Sequence, residues 1–236
     1  MSIGNVHISA KRHKPIYDVT PFTLMDYPGH TACIVWFSGC NMRCPYCYNP
    51  DIVKRKGRLS VSEVLTFLEK RQGLLQGVVL SGGECLLHPA AFEVASRAKK
   101  MGFLVKADTN GSCPEMLKKL LDCSLLDGVS LDFKALPERE TAVTGKSFFS
   151  HFCRSLELLV SAATDFEVRT TIHSSLLSEN DLLKMGAFLW HSGYRGTYYL
   201  QRFMSGVDTL GSLPPDGNTI SEACLSRFPL TTKLRN

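Results

Sequence analysis

Three cysteines lie close together directly after an apolar run, in the string GCNMRCPYCYNP. Cys40, Cys44 and Cys47 follow the spacing C-x3-C-x2-C, which puts three thiols in one short loop. Thiolates hold 4Fe–4S clusters, normally four of them. A loop that supplies three leaves one iron without a protein ligand, and such an open iron can bind a further molecule and act on it. The spacing therefore predicts an open-site iron–sulfur cluster.

Three other interpretations of the triplet compete with a cluster. Cys44-Pro45-Tyr46-Cys47 alone is typical of a thiol–disulfide exchange site at the start of a helix, although Pro50 disfavours helix in the residue before it. A zinc site could recruit His30 as a fourth ligand, but no second C-x2-C is present in the chain. Three unligated thiols in a surface loop are the simplest alternative. Motifs further along the chain favour the cluster.

Composition indicates an α/β enzyme domain in a reducing compartment. The 236 residues are enough for one large domain with a sizeable core. The nine cysteines are an odd number and have no disulfide-like spacing outside the triplet, which favours the cytoplasm. No apolar run is long enough to span a bilayer, and no signal peptide is evident. The net charge of +5 comes without a basic stripe interleaved with aromatics, so we expect no nucleic-acid or membrane partner.

Strand-like and helix-like segments alternate along the chain, which predicts a parallel sheet with crossover helices. The predicted strands cover 33–39, 77–82, 103–108, 128–133, 166–172 and 197–203, and the predicted helices cover 61–72, 89–101, 114–122, 148–162 and 179–191. Six strand–helix units are too few for a closed eight-fold barrel. We therefore expect a partial (β/α)6 barrel with parallel strands, divided into a lead-in over 1–20, a core domain over 21–205 and a tail over 206–236.

Polar motifs follow the ends of the predicted strands. The cysteine loop follows the first strand, and 81–84 (SGGE), 108–111 (DTNG) and 132–134 (DFK) end the next three. In parallel α/β folds, functional residues gather in the loops at the carboxyl ends of the strands. We expect these motifs to share one rim.

Together these motifs resemble the radical S-adenosylmethionine superfamily over about 20–205. The strings that carry the resemblance are MDYPGHTACIVWFSGCNMRCPYCYNP, GVVLSGGE, VKADTNG, SLDFKA and YYLQRF. The triplet followed by a GGE turn is typical of the superfamily. The DYPG lead-in, the Asn49-Pro50 pair and the YYLQRF strand are similar to the activating proteins of anaerobic ribonucleoside-triphosphate reductase.

The resemblance implies one 4Fe–4S cluster on Cys40, Cys44 and Cys47, with S-adenosylmethionine as the small chelate on the open iron. Reductive cleavage of that molecule gives methionine and a 5′-deoxyadenosyl radical. Glycines let a backbone approach a ligand closely, and a carboxylate pairs with an ammonium. The implied ligand contacts are Gly82 and Gly83 by close approach, Glu84 to the ammonium and Tyr46 beside the adenine.

Asp108, Thr109, Asp132 and Lys134 complete the implied site. Two carboxylates at neighbouring strand ends repel each other unless a cation or hydrogen bonds intervene. In the similar activating enzyme of pyruvate formate-lyase, matching positions hold a monovalent cation near the ligand carboxylate, and Lys134 matches a lysine that contacts that carboxylate. A simple turn at 108–111 is the competing interpretation. Arg169 is open to three interpretations: it lines the route to substrate, it pairs with a carboxylate, or it is a solvent-exposed charge at a strand end.

Two positions depart from the family pattern. Cys85 follows the GGE motif where proline is common, and a thiol there, or at Cys113, could reach the open iron and close the cluster. Tyr48 stands where close relatives often carry histidine, which changes the polarity of the pocket.

The resemblance implies an oxidoreductase that takes a hydrogen atom from a glycine Cα of anaerobic ribonucleotide reductase and leaves a stored glycyl radical. A one-electron donor such as flavodoxin or ferredoxin would reduce the cluster. Two alternatives stay open. The same radical could modify a small molecule or peptide, since the initiating motif is shared by many reactions. A non-enzymatic electron-transfer protein, with its cluster closed by Cys85, is the other.

Overall fold

The computed structural model describes residues 14–216 and 220–235. Within them, eight strands form one sheet in chain order. The strands are β1 (Ile16–Thr23), β2 (Ala32–Phe37), β3 (Gly77–Gly82), β4 (Leu104–Thr109), β5 (Gly128–Asp132), β6 (Asp165–Ile172), β7 (Tyr198–Arg202) and β8 (Thr232–Arg235). β1 pairs with β2 antiparallel, and each later pair is parallel.

Helices connect the parallel strands. They are α1 (Pro50–Lys54), α2 (Val61–Glu69), α3 (Pro89–Lys100), α4 (Pro114–Asp122), α5 (Pro137–Thr144), α6 (Phe149–Ser161), α7 (Glu179–His191) and α8 (Glu222–Leu225). A capping box starts α2, because Ser60 accepts from the backbone N–H of Glu63 and the Glu63 carboxylate accepts from that of Ser60. None of the helices in the described residues is long and apolar enough to cross a membrane.

The two faces of the parallel strands differ in chemistry. One face is apolar and packs under the helices, with Leu80, Val105 and Leu131 fully buried. Because side chains alternate along a strand, the other face carries the intervening residues. On β2 and β3 these are apolar near the amino ends, where Ile34 packs in a small separate cluster. Near the carboxyl ends the face is charged, as at Asp132 on β5. The polar half of this inner face is where the predicted motifs meet.

The α/β partial barrel with parallel strands is confirmed. The six predicted strands correspond to β2 to β7, and the structure adds β1 and β8 at the edges. β1 crosses the boundary proposed at residue 20, and β8 joins the same sheet from within 206–236. Residues 1–13 of the proposed lead-in, and 217–219 and 236 of the proposed tail, lie outside the described residues. The short helices α1, α5 and α8 were not predicted.

Candidate active site

A cavity of about 350 Å³ opens at the carboxyl ends of the strands. Ten of the predicted site residues line it: Cys40, Cys44, Tyr46, Cys47, Gly82, Gly83, Asp108, Thr109, Asp132 and Lys134. Glu84 is the one predicted site residue that does not. Arg169, Gln201, Asn110 and Leu210 add to the wall. The motifs that were expected to share one rim thus line a single cavity in the structure.

Backbone hydrogen bonds hold the cysteine loop in place. Arg43 folds back over the loop and donates through Nη1 to the carbonyl oxygens of Cys40 and Met42, both at 2.7 Å. The backbone N–H of Cys47 donates to the carbonyl oxygen of Cys44 at 3.0 Å. Arg43 also donates its backbone N–H to Thr144, at the end of α5, at 2.7 Å. The loop is therefore a fixed turn and not a loose connection.

The thiols of this loop fit an iron–sulfur cluster by their chemistry. Burial raises the pKa of the Cys40 thiol to about 12 and also raises the pKa of Cys44. Thiols must lose their protons to bind a metal, and in this buried position they need positive charge nearby to do so. Iron would supply that charge. The Cys40 sulfur already accepts hydrogen bonds from the backbone N–H of Met42 at 3.4 Å and from Nδ2 of Asn110 at 3.9 Å.

Asn110 is a site residue that sequence reasoning missed. The sequence predicts only a turn at this position, after β4. Its side chain is 5% exposed and donates both to the Cys40 sulfur and to Oδ1 of Asn41, the latter at 3.1 Å. An Asn-Gly pair signals a turn from sequence alone, and nothing in its type or spacing reveals the contact with a sulfur.

The structure contradicts the zinc interpretation that used His30. His30 precedes β2, whereas the cysteines follow its carboxyl end. A six-residue strand spans about 20 Å, so His30 lies at the opposite end of the sheet, where its ring packs edge-on against Tyr27 at 4.8 Å. Within the described ranges, no three His, Cys, Asp or Glu side chains are arranged to hold a single metal ion.

Gly82 and Gly83 bring the end of β3 against the cysteine loop. A Cβ on Gly82 would lie 2.2 Å from the carbonyl oxygen of Phe37, and one on Gly83 would lie 2.0 Å from that of Gly39. The backbone N–H of Gly83 donates to Phe37 at 3.0 Å, and that of Glu84 donates to Gly39 at 3.0 Å. The glycines were expected to admit a ligand. The structure shows that the missing side chains of Gly82 and Gly83 leave room for the backbone that leads into the cysteine loop.

Glu84 lies behind the cavity wall and is 1% exposed. Its Oε1 accepts from the Thr109 hydroxyl at 2.8 Å and from the backbone N–H of Leu86 at 3.1 Å, and its Oε2 accepts from that of Asn110 at 2.7 Å. Burial raises the pKa of this carboxyl to about 7, against the opposing effect of those hydrogen bonds. Glu84 therefore ties β3 to the end of β4, and its contact with a ligand ammonium stays a prediction.

Arg169 lies between the two carboxylates of the rim. Its Nε donates to Asp132 at 2.9 Å, and its Nη1 lies 3.8 Å from Asp108. Lys134 pairs with Asp132 at 3.2 Å, and Lys106 pairs with Asp108. The expected repulsion is thus relieved by cations of the chain itself. The interpretation of Arg169 as a solvent-exposed charge is wrong, since its side chain is 16% exposed.

The pKa of Asp132 reflects this arrangement. Burial alone would raise it, but the positive charges and hydrogen bonds of Arg169 and Lys134 outweigh burial and hold the pKa below its ordinary value. The pKa of Lys134 is raised well above its usual range, because Asp132 outweighs the opposing effect of burial. The pair is therefore charged at neutral pH and offers a fixed positive group at the cavity wall.

The structure also contradicts closure of the cluster by Cys85. After Glu84 the chain turns into a short 3-10 helix, Cys85–Leu87, which directs the thiol into the core. Cys85 is fully buried, donates to the carbonyl oxygen of Asp108 at 3.4 Å and does not line the cavity. Cys113, whose sulfur lies 3.7 Å from the Ser112 hydroxyl, does not line it either. The cavity contains no fourth thiol among the described residues.

The fold and the site together define an enzyme scaffold with three thiols at the mouth of an open parallel barrel. The family model described as "Radical SAM superfamily" matches residues 34–181, and the chain belongs to this superfamily. The family implies a 4Fe–4S cluster and S-adenosylmethionine.

Two curated relatives within the superfamily are named as activating enzymes. A protein of Methanocaldococcus jannaschii named as a glycyl-radical enzyme activating enzyme is 29% identical over 70% of this chain and 70% of its own length. A pyruvate formate-lyase-activating enzyme of Clostridium pasteurianum is 31% identical over 60% of this chain and 63% of its own length.

Solved structures share the fold. Streptococcus suis SuiB bound to S-adenosylmethionine has a TM-score of 0.60 at 12% identity, covering 86% of this chain and 52% of that one. This chain thus spans about half the length of SuiB. Escherichia coli QueE has a TM-score of 0.56 at 14% identity, covering 100% of this chain and 99% of that one.

Proposed function

We propose that this chain activates a glycyl-radical enzyme by taking a hydrogen atom from a glycine Cα of that partner. The observation that carries the proposal is its similarity to activating enzymes of two kinds over 60% or more of the chain. The partner we propose is anaerobic ribonucleotide reductase, on the DYPG, Asn49-Pro50 and YYLQRF strings. The hydrogen atom passes to the 5′-deoxyadenosyl radical, so the products are 5′-deoxyadenosine and a glycyl radical.

In this proposal, Cys40, Cys44 and Cys47 would hold the cluster. When bound, the cluster supplies the electron that splits S-adenosylmethionine at a carbon–sulfur bond. Lys134 would orient the ligand carboxylate, since its charge is fixed by Asp132 and its Nζ lies 5.7 Å from the centre of the Tyr46 ring. The Tyr46 ring, 3% exposed, offers a flat apolar surface for the adenine.

Gly82, Gly83 and Glu84 would serve the methionine end of the ligand. The glycines line the cavity directly, whereas Glu84 would act from behind them, through its hydrogen bonds to Thr109 and to the backbone of Asn110. Three of the roughly four acceptor sites of its carboxylate are already used by the protein. We therefore propose that its main contribution is to fix the ends of β3 and β4.

A monovalent cation beside Asp108, Thr109 and Asp132 is part of the proposal. Carboxylate and hydroxyl oxygens are suitable ligands for hard cations. Arg169, Lys106 and Lys134 balance the two carboxylates in the structure. A cation would be needed once the carboxylate of the bound ligand draws Lys134 or Arg169 toward itself.

The test is anaerobic reconstitution with iron and sulfide, reduction, and addition of S-adenosylmethionine with purified anaerobic ribonucleotide reductase. Flavodoxin or ferredoxin would be compared with dithionite as the electron donor. We expect 5′-deoxyadenosine and a glycyl radical signal on the reductase, both abolished in Cys44→Ala. Formation of 5′-deoxyadenosine with no radical on the reductase would reject this partner and keep the radical chemistry.

Modification of a small molecule is the second candidate function. One observation favours it: a 7-carboxy-7-deazaguanine synthase of Methanopyrus kandleri is 35% identical over 46% of this chain and 51% of its own length. A small molecule that is consumed in proportion to 5′-deoxyadenosine, without any protein partner, would support this candidate over the first.

A further inference from the structure

Residues 203–216, here called the strap, leave β7 and return across the cysteine loop. The backbone N–H of Leu210 donates to the carbonyl oxygen of Cys47 at 2.9 Å, and that of Gly211 donates to Pro45 at 2.9 Å. Both acceptors lie in the half of the loop between Cys44 and Cys47. The strap thus satisfies backbone groups of the segment that carries two of the three thiols.

Two further contacts tether the strap. At its start, the backbone N–H of Met204 donates to the Tyr48 hydroxyl at 2.7 Å, and the Tyr48 ring stacks on Phe203 with centroids 5.8 Å apart. At its end, the carbonyl oxygen of Pro214 lies 2.9 Å from Nε2 of His173, which follows β6. The strap is therefore held on both sides of the cysteine loop.

The strap lies close enough to the loop to act on it. A Cβ on Gly211 would lie 2.6 Å from Cβ and 2.8 Å from Cα of Pro45, so only glycine fits here without a shift of the backbone. Next to it, Leu210 forms part of the cavity wall beside Cys47. Cys47 is half-buried, and the strap contacts the backbone of Cys47 and of the nearby Pro45.

A cluster that is held by three protein ligands depends more strongly on each ligand than a cluster that is held by four. If the Cys44–Cys47 half of the loop opens, a single thiolate remains to hold the iron. The part of the loop around Cys40 has its own supports in Arg43 and Asn110. In the other half, the strap supplies the hydrogen bonds to Pro45 and Cys47.

We propose that the strap is a positioning element for the cluster. It holds residues 44–48 in the conformation that binds iron, and it limits the access of solvent to the cluster on the Cys47 side. Tyr48 is its anchor on the loop, which gives a physical role to the residue that departs from the family pattern. This role is independent of which molecule gives up the hydrogen atom.

The experiment measures retention of the cluster, without ligand or partner. Reconstituted protein is exposed anaerobically to an iron chelator, and the loss of iron–sulfur absorbance gives a rate. Gly211→Leu pushes the strap away from Pro45, and Tyr48→Phe removes the acceptor of the Met204 hydrogen bond. Ser212→Leu, at an exposed neighbouring position, is the matched control.

We expect cluster loss to be faster by about two- to tenfold in Tyr48→Phe, the factor that one net hydrogen bond typically contributes, and faster still in Gly211→Leu. Ser212→Leu should match the wild type. Equal rates in Tyr48→Phe, Gly211→Leu and wild type would overturn the proposal. If Gly211→Leu does not fold, Tyr48→Phe decides alone, since it removes one oxygen atom. A failure of the proposed partner to acquire a radical would leave this result unaffected.

Discussion

Arg169 pairs with two carboxylates in the wall of the cavity. The guanidinium contacts Asp132 directly and faces Asp108 at longer range, with all three side chains largely buried. Arginine suits this position because its rigid planar fork holds its N–H donors in fixed directions, whereas lysine carries a compact ammonium on a flexible stem. The arrangement places positive charge of the chain itself beside both carboxylates.

Removal of the Arg169 charge, as in Arg169→Met, should destabilise the protein more than replacement by lysine, which keeps the charge. Arg169→Met leaves Asp132 with Lys134 alone, and losing one partner of a buried pair costs about 3 kcal/mol. Arg169→Lys keeps the charge and should lose less. Chemical denaturation of the cluster-free variants gives the free energies of unfolding. Equal losses in the two variants would show that the fork geometry, and not the charge, is what Asp132 requires.

Glu84 gives the cluster-free protein a predictable pH dependence. Its folded pKa is about 7 and lies above its ordinary value of 4.5. Below pH 4.5 both the folded and unfolded forms hold the proton. Between about pH 4.5 and 7 the unfolded chain releases the proton while the folded protein retains it, so this contribution to stability is lost as the pH rises.

In Glu84→Gln this fall should disappear, although the variant should be less stable overall because an amide cannot accept from Asn110 and Thr109 as a carboxylate does. Unfolding free energies at pH 5 and pH 8 measure the difference. Asp132 does not confound the comparison, since its pKa is lowered and its contribution is lost only as the pH falls through that lowered value. The same slope in both proteins would assign the pH dependence to another group.

At the scale of elements, the approach of β3 to the cysteine loop depends on two residues without side chains. Gly83→Ala would place a methyl group about 2.0 Å from the carbonyl oxygen of Gly39, closer than any real contact. The end of β3 would have to move and would pull the loop with it.

We therefore expect Gly83→Ala to lower both stability and the yield of reconstituted cluster. Gly128→Ala is the matched control, because its added Cβ would meet its nearest neighbour, the Tyr27 hydroxyl, at an ordinary 3.6 Å. Melting curves and bound iron per chain measure the two effects. A Gly83→Ala protein with full iron content would show that the loop tolerates the displaced strand.

The central elements could be predicted from sequence, and the edge elements could not. β2 to β7 are apolar, β-rich runs bounded by turn residues, and runs of this kind can be recognised as strands from the sequence. β1 contains Pro21 and has six half-buried or exposed residues between its two buried ends, and β8 has only four residues, two of them basic. Both are edge strands, where the sequence pattern is weakest because one side lacks a partner.

The candidate site was predictable to a similar extent. The rule that strand ends share a rim placed Cys40, Asp108 and Asp132 around one cavity. It could not show that Glu84 points away from that cavity, or that Cys85 enters the core, because adjacent residues diverge only once the chain turns after β3. The hydrogen bond between Tyr48 and Met204 joins positions far apart in sequence, so no local sequence pattern predicts it.

Across the whole molecule, the inner face of the barrel divides into a part that lines the cavity and a part that fastens the sheet. Arg235 on β8 makes two hydrogen bonds to the Glu167 carboxylate on β6, at 3.0 and 2.9 Å, and lies over the Tyr199 ring at 3.3 Å. Neither Glu167 nor Arg235 lines the cavity. This pair spans β7 and attaches the edge strand.

Stability and chemistry should therefore separate in Arg235→Ala. Among the described residues, Glu167 would keep the hydrogen bond from the Ser130 hydroxyl at 2.9 Å. β8 would lose the two hydrogen bonds from Arg235, so we expect a loss of about 2 kcal/mol, within the range for charged hydrogen bonds. Amide hydrogens of β7 and β8 should exchange faster with solvent. Formation of 5′-deoxyadenosine at temperatures well below melting should stay close to wild type, because the cavity wall is unchanged. Lys233→Ala, at an exposed position of the same strand, is the control for the substitution itself. A large loss of activity in a folded Arg235→Ala protein would show that β8 takes part in the chemistry and that the barrel works as one unit.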